Sequence, residues 1–156
     1  MVSAAAHAGV AIAPVTFERE TRTSVDAARE IGCSVAEIVK SLVFRVAGTL
    51  EPVLLLLSGA DRADLSRAAA ILGVDRLERA SPEAAKAATG YSIGATPPFG
   101  LATSLLIAMD DRLLEFDHVW AAGGRTDTVF QISSRDLTRV TGAVVATVRE
   151  VAGTRG

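Results

Sequence analysis

The most continuous apolar segment of the chain is VLLLL, at positions 53–57. A strand with this pattern has no polar face, which predicts a central strand covered on both sides. A β-prone segment at residues 42–46 precedes it, and Gly48-Thr49 forms a turn between them, so an antiparallel hairpin is predicted. Shorter apolar or alternating segments predict further strands near residues 12–17, 74–78, 105–109, 119–122 and 128–133, and residues 144–151 close the chain.

Capping residues mark the predicted helices between these strands. Thr23 or Ser24 can begin a helix that Gly32 ends. Hairpins and helices are interleaved, and some connections are too short for a purely parallel sheet, so we predict a mixed α/β (α+β) fold. The other helices are predicted within residues 1–15, over 35–39 after Ser34, from Asp61 or Asp64 to residue 72, over 82–89, and over 135–141 after Ser134.

Length and composition fit one domain that spans residues 1–156, with 49% hydrophobic and 22% charged residues. The formal net charge of −2 is a poor match to a general nucleic-acid binder, although it leaves room for a local basic patch. Cys33 is the only cysteine, so an internal disulfide or a cysteine-based zinc site is excluded. With no basic residues at the apolar N-terminus and no long apolar run, we expect a soluble cytoplasmic protein.

The segment TGYSIGATPPFG, at residues 89–100, concentrates glycine and proline. Neither a helix interior nor a central strand tolerates this composition, so the segment is a loop. A tight connection without function is one interpretation of it. The other follows from its small residues and apolar flanks, which would let a ligand approach backbone N–H groups inside the body of the domain.

Lys40 lies in the mostly apolar segment EIVKSLVF. One interpretation is a solvated lysine at a helix end, interacting with Glu37 and the helix C-terminus. The alternative is a single cation at the rim of an apolar pocket, where it could bind a phosphate or polarise a carbonyl.

Four segments occur together in an order and spacing that resemble a known family: IVKSLVF at 38–44, TGYSIGATPPFG at 89–100, Asp110, and VWAAGG at 119–124. The chain resembles, from about residue 15 to residue 148, the YbaK / prolyl-tRNA synthetase editing-domain family. These proteins are aminoacyl-tRNA deacylases, inserted in the synthetase or free-standing. The resemblance implies a central mixed, mostly antiparallel sheet surrounded by helices.

The resemblance also implies roles for individual residues. Lys40 matches a central functional lysine near the 3′-terminal adenosine and the ester, and residues 94–98 match a loop that shapes the pocket. The sequence departs from the family at Ala95, where a second glycine is frequent, and after Gly124, where the pattern G-G-x-R-G is not kept. On this basis the expected catalytic residues are Lys40 and Gly94, and the expected substrate-binding residues are Tyr91, Ala95, Thr96, Pro97, Pro98, Gly100, Asp110, Gly123 and Gly124.

The function implied is a trans-editing hydrolase that removes a small non-cognate amino acid, such as Ala, Ser, Thr or Cys, from tRNA-Pro. No metal or other cofactor is expected. The expected partners are the acceptor end of aminoacylated tRNA and prolyl-tRNA synthetase, without a membrane, and the protein would be a monomer or a homodimer. Two alternatives remain open: a non-catalytic module of the same fold that binds tRNA or a synthetase, and a small-ligand regulator that uses the same pocket.

Overall fold

A computed structural model describes residues 1–21 and 23–151. Its helices are α1 (Val2–His7), α2 (Ser24–Ile31), α3 (Leu65–Leu72), α4 (Pro82–Thr89) and α5 (Ser134–Thr141), with short 3₁₀ helices at Val35–Glu37 and Asp111–Glu115. Its strands are β1 (Val15–Thr16), β2 (Val39–Val46), β3 (Pro52–Ser58), β4 (Leu77–Arg79), β5 (Leu106–Asp110), β6 (His118–Ala122), β7 (Thr128–Ser133) and β8 (Val144–Ala146).

The described strands form two sheets. The larger one has the order β4-β2-β3-β5-β8 and the smaller one β1-β7-β6. The β2–β3 hairpin is antiparallel as predicted, whereas β3–β5 and β5–β8 are parallel, and the pairings in the smaller sheet are antiparallel. The fold is therefore mixed and mostly antiparallel, which confirms the predicted class. A bridge between Ile38 and Trp120 joins the two sheets.

The core lies on both faces of β3, the middle strand of the larger sheet. Its residues from Val53 to Ser58 are fully buried, which confirms the predicted central strand. Leu54 and Leu56 pack into one apolar cluster, and Leu55 and Leu57 into another on the opposite face. Burial of each such side chain contributes about 1.5–3 kcal/mol to folding. The packing on both faces of this strand therefore stabilises the elements that cover it.

Local capping chemistry sets most helix ends as predicted. Thr23 accepts a hydrogen bond of 3.1 Å from the Asp26 N–H, and Gly32 ends the same helix with a φ of +85°. The prediction of a helix over 35–39 was wrong beyond residue 37. Ile38 and Val39 are extended because the chain joins the larger sheet here, where Val39 pairs with Ser58 in β3.

Three smaller differences concern element boundaries. Ser133, one residue before the predicted Ser134, caps α5 through the Asp136 N–H at 3.1 Å. The strand predicted over 74–78 begins only at Leu77, and the closing segment 144–151 forms a strand only over Val144–Ala146. Across the described ranges, no helix is both long and apolar enough to cross a membrane.

Candidate functional site

A cleft of about 440 Å³ opens beside the edge of β2. Strand β4 pairs with β2 only from Phe44 to Val46. The first half of β2 is therefore not covered by β4, and it lines the cleft. The other walls come from the start of α2, the glycine- and proline-containing loop, β6 and the β6–β7 turn. The site is therefore assembled from segments that are distant in sequence.

Lys40, the second residue of β2, lines this cleft together with Gly94 and Thr96. Its ammonium Nζ donates a hydrogen bond to the main-chain oxygen of Asp61. Burial lowers the pKa of Lys40 below its ordinary value of 10.5, and the nearby Asp61 carboxylate acts in the opposite direction. No ion pair to Lys40 occurs within the described residues.

The loop presents backbone donors to the same cleft. Gly94 has a φ of +85°, and a Cβ added there would meet nothing within 4 Å. The Ala95 N–H is already used, because it donates to the Ser92 carbonyl at 3.0 Å. In the part of the chain that the structure describes, the N–H groups of Gly94 and Thr96 have no protein hydrogen-bond partner; Gly94 is exposed, whereas Thr96 is buried.

Both charged side chains that line the cleft in the described ranges are cations, Lys40 and Arg125. Arg125 lies in the β6–β7 turn, and its side chain is 73% exposed. Its Nε contacts Asp127 Oδ1 at 3.1 Å, which orients the guanidinium from one side and leaves its other edge to solvent. A half-buried cation inside and an exposed one at the mouth favour an anionic ligand, on a chain whose net charge is −2.

Several expected substrate-binding residues support the cleft from outside its described lining. The Gly124 N–H donates to the Ala95 carbonyl at 3.0 Å, and a Cβ on Gly124 would come within 3.0 Å of the Tyr91 ring. A Cβ on Gly123 would meet the Thr128 side chain at 2.8 Å. The two Gly124 contacts hold the β6–β7 turn against the loop, and the Gly123 contact closes the turn itself. The expected residues outside the described lining are Tyr91, Ala95, Pro97, Pro98, Gly100, Asp110, Gly123 and Gly124.

Pro97, Pro98 and Gly100 belong to the packing of the loop rather than to the cleft surface. Both prolines are buried. A Cβ on Gly100 would lie 2.9 Å from the Met1 Cα, so this glycine allows the N-terminal residue to pack closely against the loop. The buried prolines and Phe99 therefore anchor the segment in the domain, whereas Ile93, also apolar, is 64% exposed.

Asp110 is fully buried at the end of β5 and is bound by the protein itself. Its Oδ1 accepts from the N–H groups of Val148 and Arg149 at 2.9 and 3.1 Å. Its Oδ2 accepts from Arg149 Nη1 at 3.0 Å and from the Arg112 N–H at 3.2 Å. Asp110 was expected to bind substrate, but this geometry supports a structural role.

Sequence reasoning did not single out Arg125 or Trp120, which both line the cleft. Arg125 is one residue away from the arginine position of the family pattern G-G-x-R-G. Trp120 is half-buried beside the bridge that joins the two sheets. It is the only tryptophan in a chain with few aromatic residues, and this is the sequence signal that could have identified it.

The model of the aminoacyl-tRNA editing domain family matches residues 18–140. That range contains the whole candidate site and most of the chain. The protein therefore belongs to the aminoacyl-tRNA editing domain family, as the sequence resemblance predicted.

Two curated relatives and one solved structure place the chain within this family. It is 31% identical to "Uncharacterized protein YwhH" of Bacillus subtilis (strain 168), over 78% of this chain and 76% of that protein. It is 31% identical to "Proline--tRNA ligase" of Streptococcus equi subsp. equi (strain 4047), over 74% of this chain but only 18% of the ligase. A crystal structure of "a putative trans-editing enzyme for prolyl tRNA synthetase" superposes with a TM-score of 0.87 at 37% identity, covering 96% of this chain and 94% of the other.

Proposed function

We propose that this protein is a trans-editing hydrolase that deacylates tRNA-Pro carrying a small non-cognate amino acid. The observation that carries the proposal is that Lys40, Gly94 and Thr96 line one cleft. Its volume, about 440 Å³, is in the range of small-molecule sites and suits an aminoacyl group with part of the terminal nucleoside.

The substrate is an ester between an amino acid and a ribose hydroxyl, which is already activated toward water. The enzyme then has two main tasks: to orient the ester and to stabilise the oxyanion that forms at its carbonyl. The unpaired N–H groups of Gly94 and Thr96 are suited to the second task. In known oxyanion holes one such donor contributes about 3–4 kcal/mol to the transition state.

Lys40 would bind the substrate through its ammonium group, either at the terminal phosphate or at the ester carbonyl. The hydrogen bond to the Asp61 carbonyl uses one of its three N–H donors and leaves two for the ligand. Half-burial strengthens such contacts, because less water competes for the charge. The ribose hydroxyl that is not esterified can help to position the attacking water, so the mechanism does not require a protein general base.

Arg125 at the mouth would contact a phosphate of the acceptor end. A planar guanidinium matches two phosphate oxygens, and Asp127 holds this one in place. Because the protein needs to bind only the end of the tRNA, a local pair of cations is compatible with a slightly acidic chain.

Selectivity in this proposal is mainly steric. A synthetase discriminates weakly against a smaller amino acid, since one methylene is worth about 1–3 kcal/mol, so a second site that hydrolyses small side chains restores accuracy. Walls formed by Ala27, Leu42 and Ala121 favour a small side chain such as Ala, Ser, Thr or Cys. Proline must be excluded, because otherwise the cognate product would be destroyed. The names of the ligase relative and of the trans-editing neighbour support tRNA-Pro as the carrier and prolyl-tRNA synthetase as a partner.

The test is a deacylation panel with the purified chain. tRNA-Pro charged with Ala, Ser, Thr, Cys or Pro is incubated with the protein, and ester loss is compared with the spontaneous rate. We expect accelerated loss of at least one small non-cognate amino acid and none of proline. Tight binding of these tRNAs with no acceleration on any of them would overturn the hydrolase proposal in favour of a non-catalytic binding module.

A further inference from the structure

The Lys40 ammonium belongs to a connected series of polar contacts that runs from the cleft to the buried end of β5. Its acceptor is the main-chain oxygen of Asp61. The carboxylate of the same Asp61 residue contacts Arg112 instead, with 2.8 Å between Oδ2 and Nε. The Arg112 N–H in turn donates to Asp110 Oδ2 at 3.2 Å, at the start of a 3₁₀ helix.

Asp61 therefore presents two oxygens of different character near one lysine. Its carbonyl is neutral and binds the ammonium, whereas its carboxylate is negative, only 13% exposed in side-chain terms, and bound by Arg112. A carboxylate that is not held elsewhere and lies this close to a half-buried ammonium would pair with it. Within residues 1–21 and 23–151 that ion pair does not form.

We propose that Arg112 is a positioning residue, which holds the Asp61 carboxylate away from Lys40 and so keeps the ammonium available to an anionic or carbonyl ligand in the cleft. This inference rests on the proposed function for its effect on catalysis, but the arrangement of charges that it describes can be measured without a substrate.

Two other features of the site agree with this role. The Asp61 N–H donates to the Ser58 carbonyl at 3.0 Å, and Gly59 packs so closely against Val35 that a Cβ there would approach its oxygen to 2.6 Å. The turn that offers the Asp61 carbonyl is thus fixed by the backbone, independently of Arg112. Loss of the arginine head group would free the carboxylate without removing the carbonyl from Lys40.

Among residues 1–21 and 23–151, two charged groups act on the pKa of Lys40. They are the Asp61 carboxylate, which raises its pKa, and Arg62, which lowers it. Removal of Arg112 leaves the Asp61 charge uncompensated and free to approach. The pKa of Lys40 should therefore rise in this variant, because a nearer anion favours the charged form of the lysine.

The first experiment measures that pKa by NMR in protein labelled with ¹³C at the lysine Cε. The chain contains two lysines, Lys40 and Lys86, so the spectrum has two signals and Lys86→Arg assigns them. We expect Arg112→Ala to raise the pKa of Lys40, and the further change Asp61→Asn to reverse that rise. A pKa of Lys40 that is unchanged or lower in Arg112→Ala would overturn the proposal.

Arg45→Ala is the matched control. The Arg45 side chain is 39% exposed, equal to that of Arg112, and it pairs with Glu78 at 2.9 Å between β2 and β4. This control should leave the pKa of Lys40 where it is in the unmodified chain. If Arg112→Ala prevents folding, Arg112→Met retains the length of the apolar stem and removes only the charged head.

The second experiment measures deacylation of the mischarged tRNA found in the panel. Arg112→Ala should lower kcat/KM between about tenfold and about 100-fold, as expected when a group in a site is misplaced by a distant change. Adding Asp61→Asn should restore most of the lost activity. A double variant no better than Arg112→Ala would contradict the positioning role, since removal of the Asp61 carboxylate should free the Lys40 ammonium again. If the unmodified chain hydrolyses no tRNA, the proposed function fails while the NMR measurement still decides this inference.

Discussion

The N–H of Gly124 donates a 3.0 Å hydrogen bond to the carbonyl oxygen of Ala95, which joins the two glycine-containing motifs of the chain. One motif carries the N–H donors of Gly94 and Thr96, and the other is followed directly by Arg125. The bond fixes the position of these donors relative to Arg125 at the cleft mouth. Residues 89–100 and 119–124 therefore act as one structural unit, although neither motif alone defines the site.

Gly124→Ala should disrupt this unit. Gly124 has a φ of +97°, where a side chain is strained by about 1–2 kcal/mol, and its new Cβ would approach the Tyr91 ring to 3.0 Å. We expect a loss of deacylation of about tenfold or more with only a modest fall in Tm. Gly142→Ala provides the control, because its φ is +64° but nothing lies within 4 Å of the added Cβ. Equal activity in both variants would contradict the role of the Gly124 contact.

Ala95→Leu tests whether this position shapes the cleft or packs the loop. Ala95 is 4% exposed and lies outside the described lining of the cleft. Extra methylenes in a packed site cost about 1–3 kcal/mol, so urea denaturation should show a lower free energy of unfolding. We also expect a narrower substrate range, through displacement of the neighbouring donors. A variant with normal stability and an unchanged range would show that the loop has room at Ala95.

Asp110→Asn should affect stability more than binding. The carboxylate is fully buried and accepts four hydrogen bonds, from Val148, Arg112 and Arg149. Breaking a buried pair costs about 3–5 kcal/mol, because the remaining charge is left uncompensated. Chemical denaturation measures the loss, and the KM of the folded fraction should change little. A fully stable variant whose KM rises steeply would instead place Asp110 in contact with the substrate.

Much of the fold follows from local chemistry in the sequence. The caps at Thr23 and Gly32 and the apolar strand β3 depend on neighbouring residues, so pattern analysis finds them. Lys40 was predicted between a helix and a strand but lies inside β2, because pairing with β3 extends the strand toward Val39. The Asp61–Arg112 contact joins residues 51 positions apart and has no local signature. The division into two sheets is likewise a tertiary outcome.

Burial lowers the pKa of Lys40, so the charged lysine reduces the free energy of unfolding by an amount that depends on pH. Between that pKa and the ordinary value of 10.5, the unfolded chain binds more protons at this position than the folded chain does, so folding stability attributable to Lys40 rises with pH in that window. Lys40→Met removes the charged group. We expect its advantage in free energy of unfolding over the unmodified chain to shrink as the pH rises through the window. An advantage that grows there would contradict the burial of the ammonium.

The role of Lys40 itself is tested most directly by single-turnover deacylation of mischarged tRNA-Pro. Lys40→Ala is compared with Lys86→Ala, which removes the other lysine, on α4 and outside the described lining of the cleft. Circular dichroism should show both variants folded. We predict that Lys40→Ala loses about 100-fold or more in rate while Lys86→Ala keeps the unmodified rate. A folded Lys40→Ala variant that hydrolyses every tested substrate at the unmodified rate would contradict the central claim.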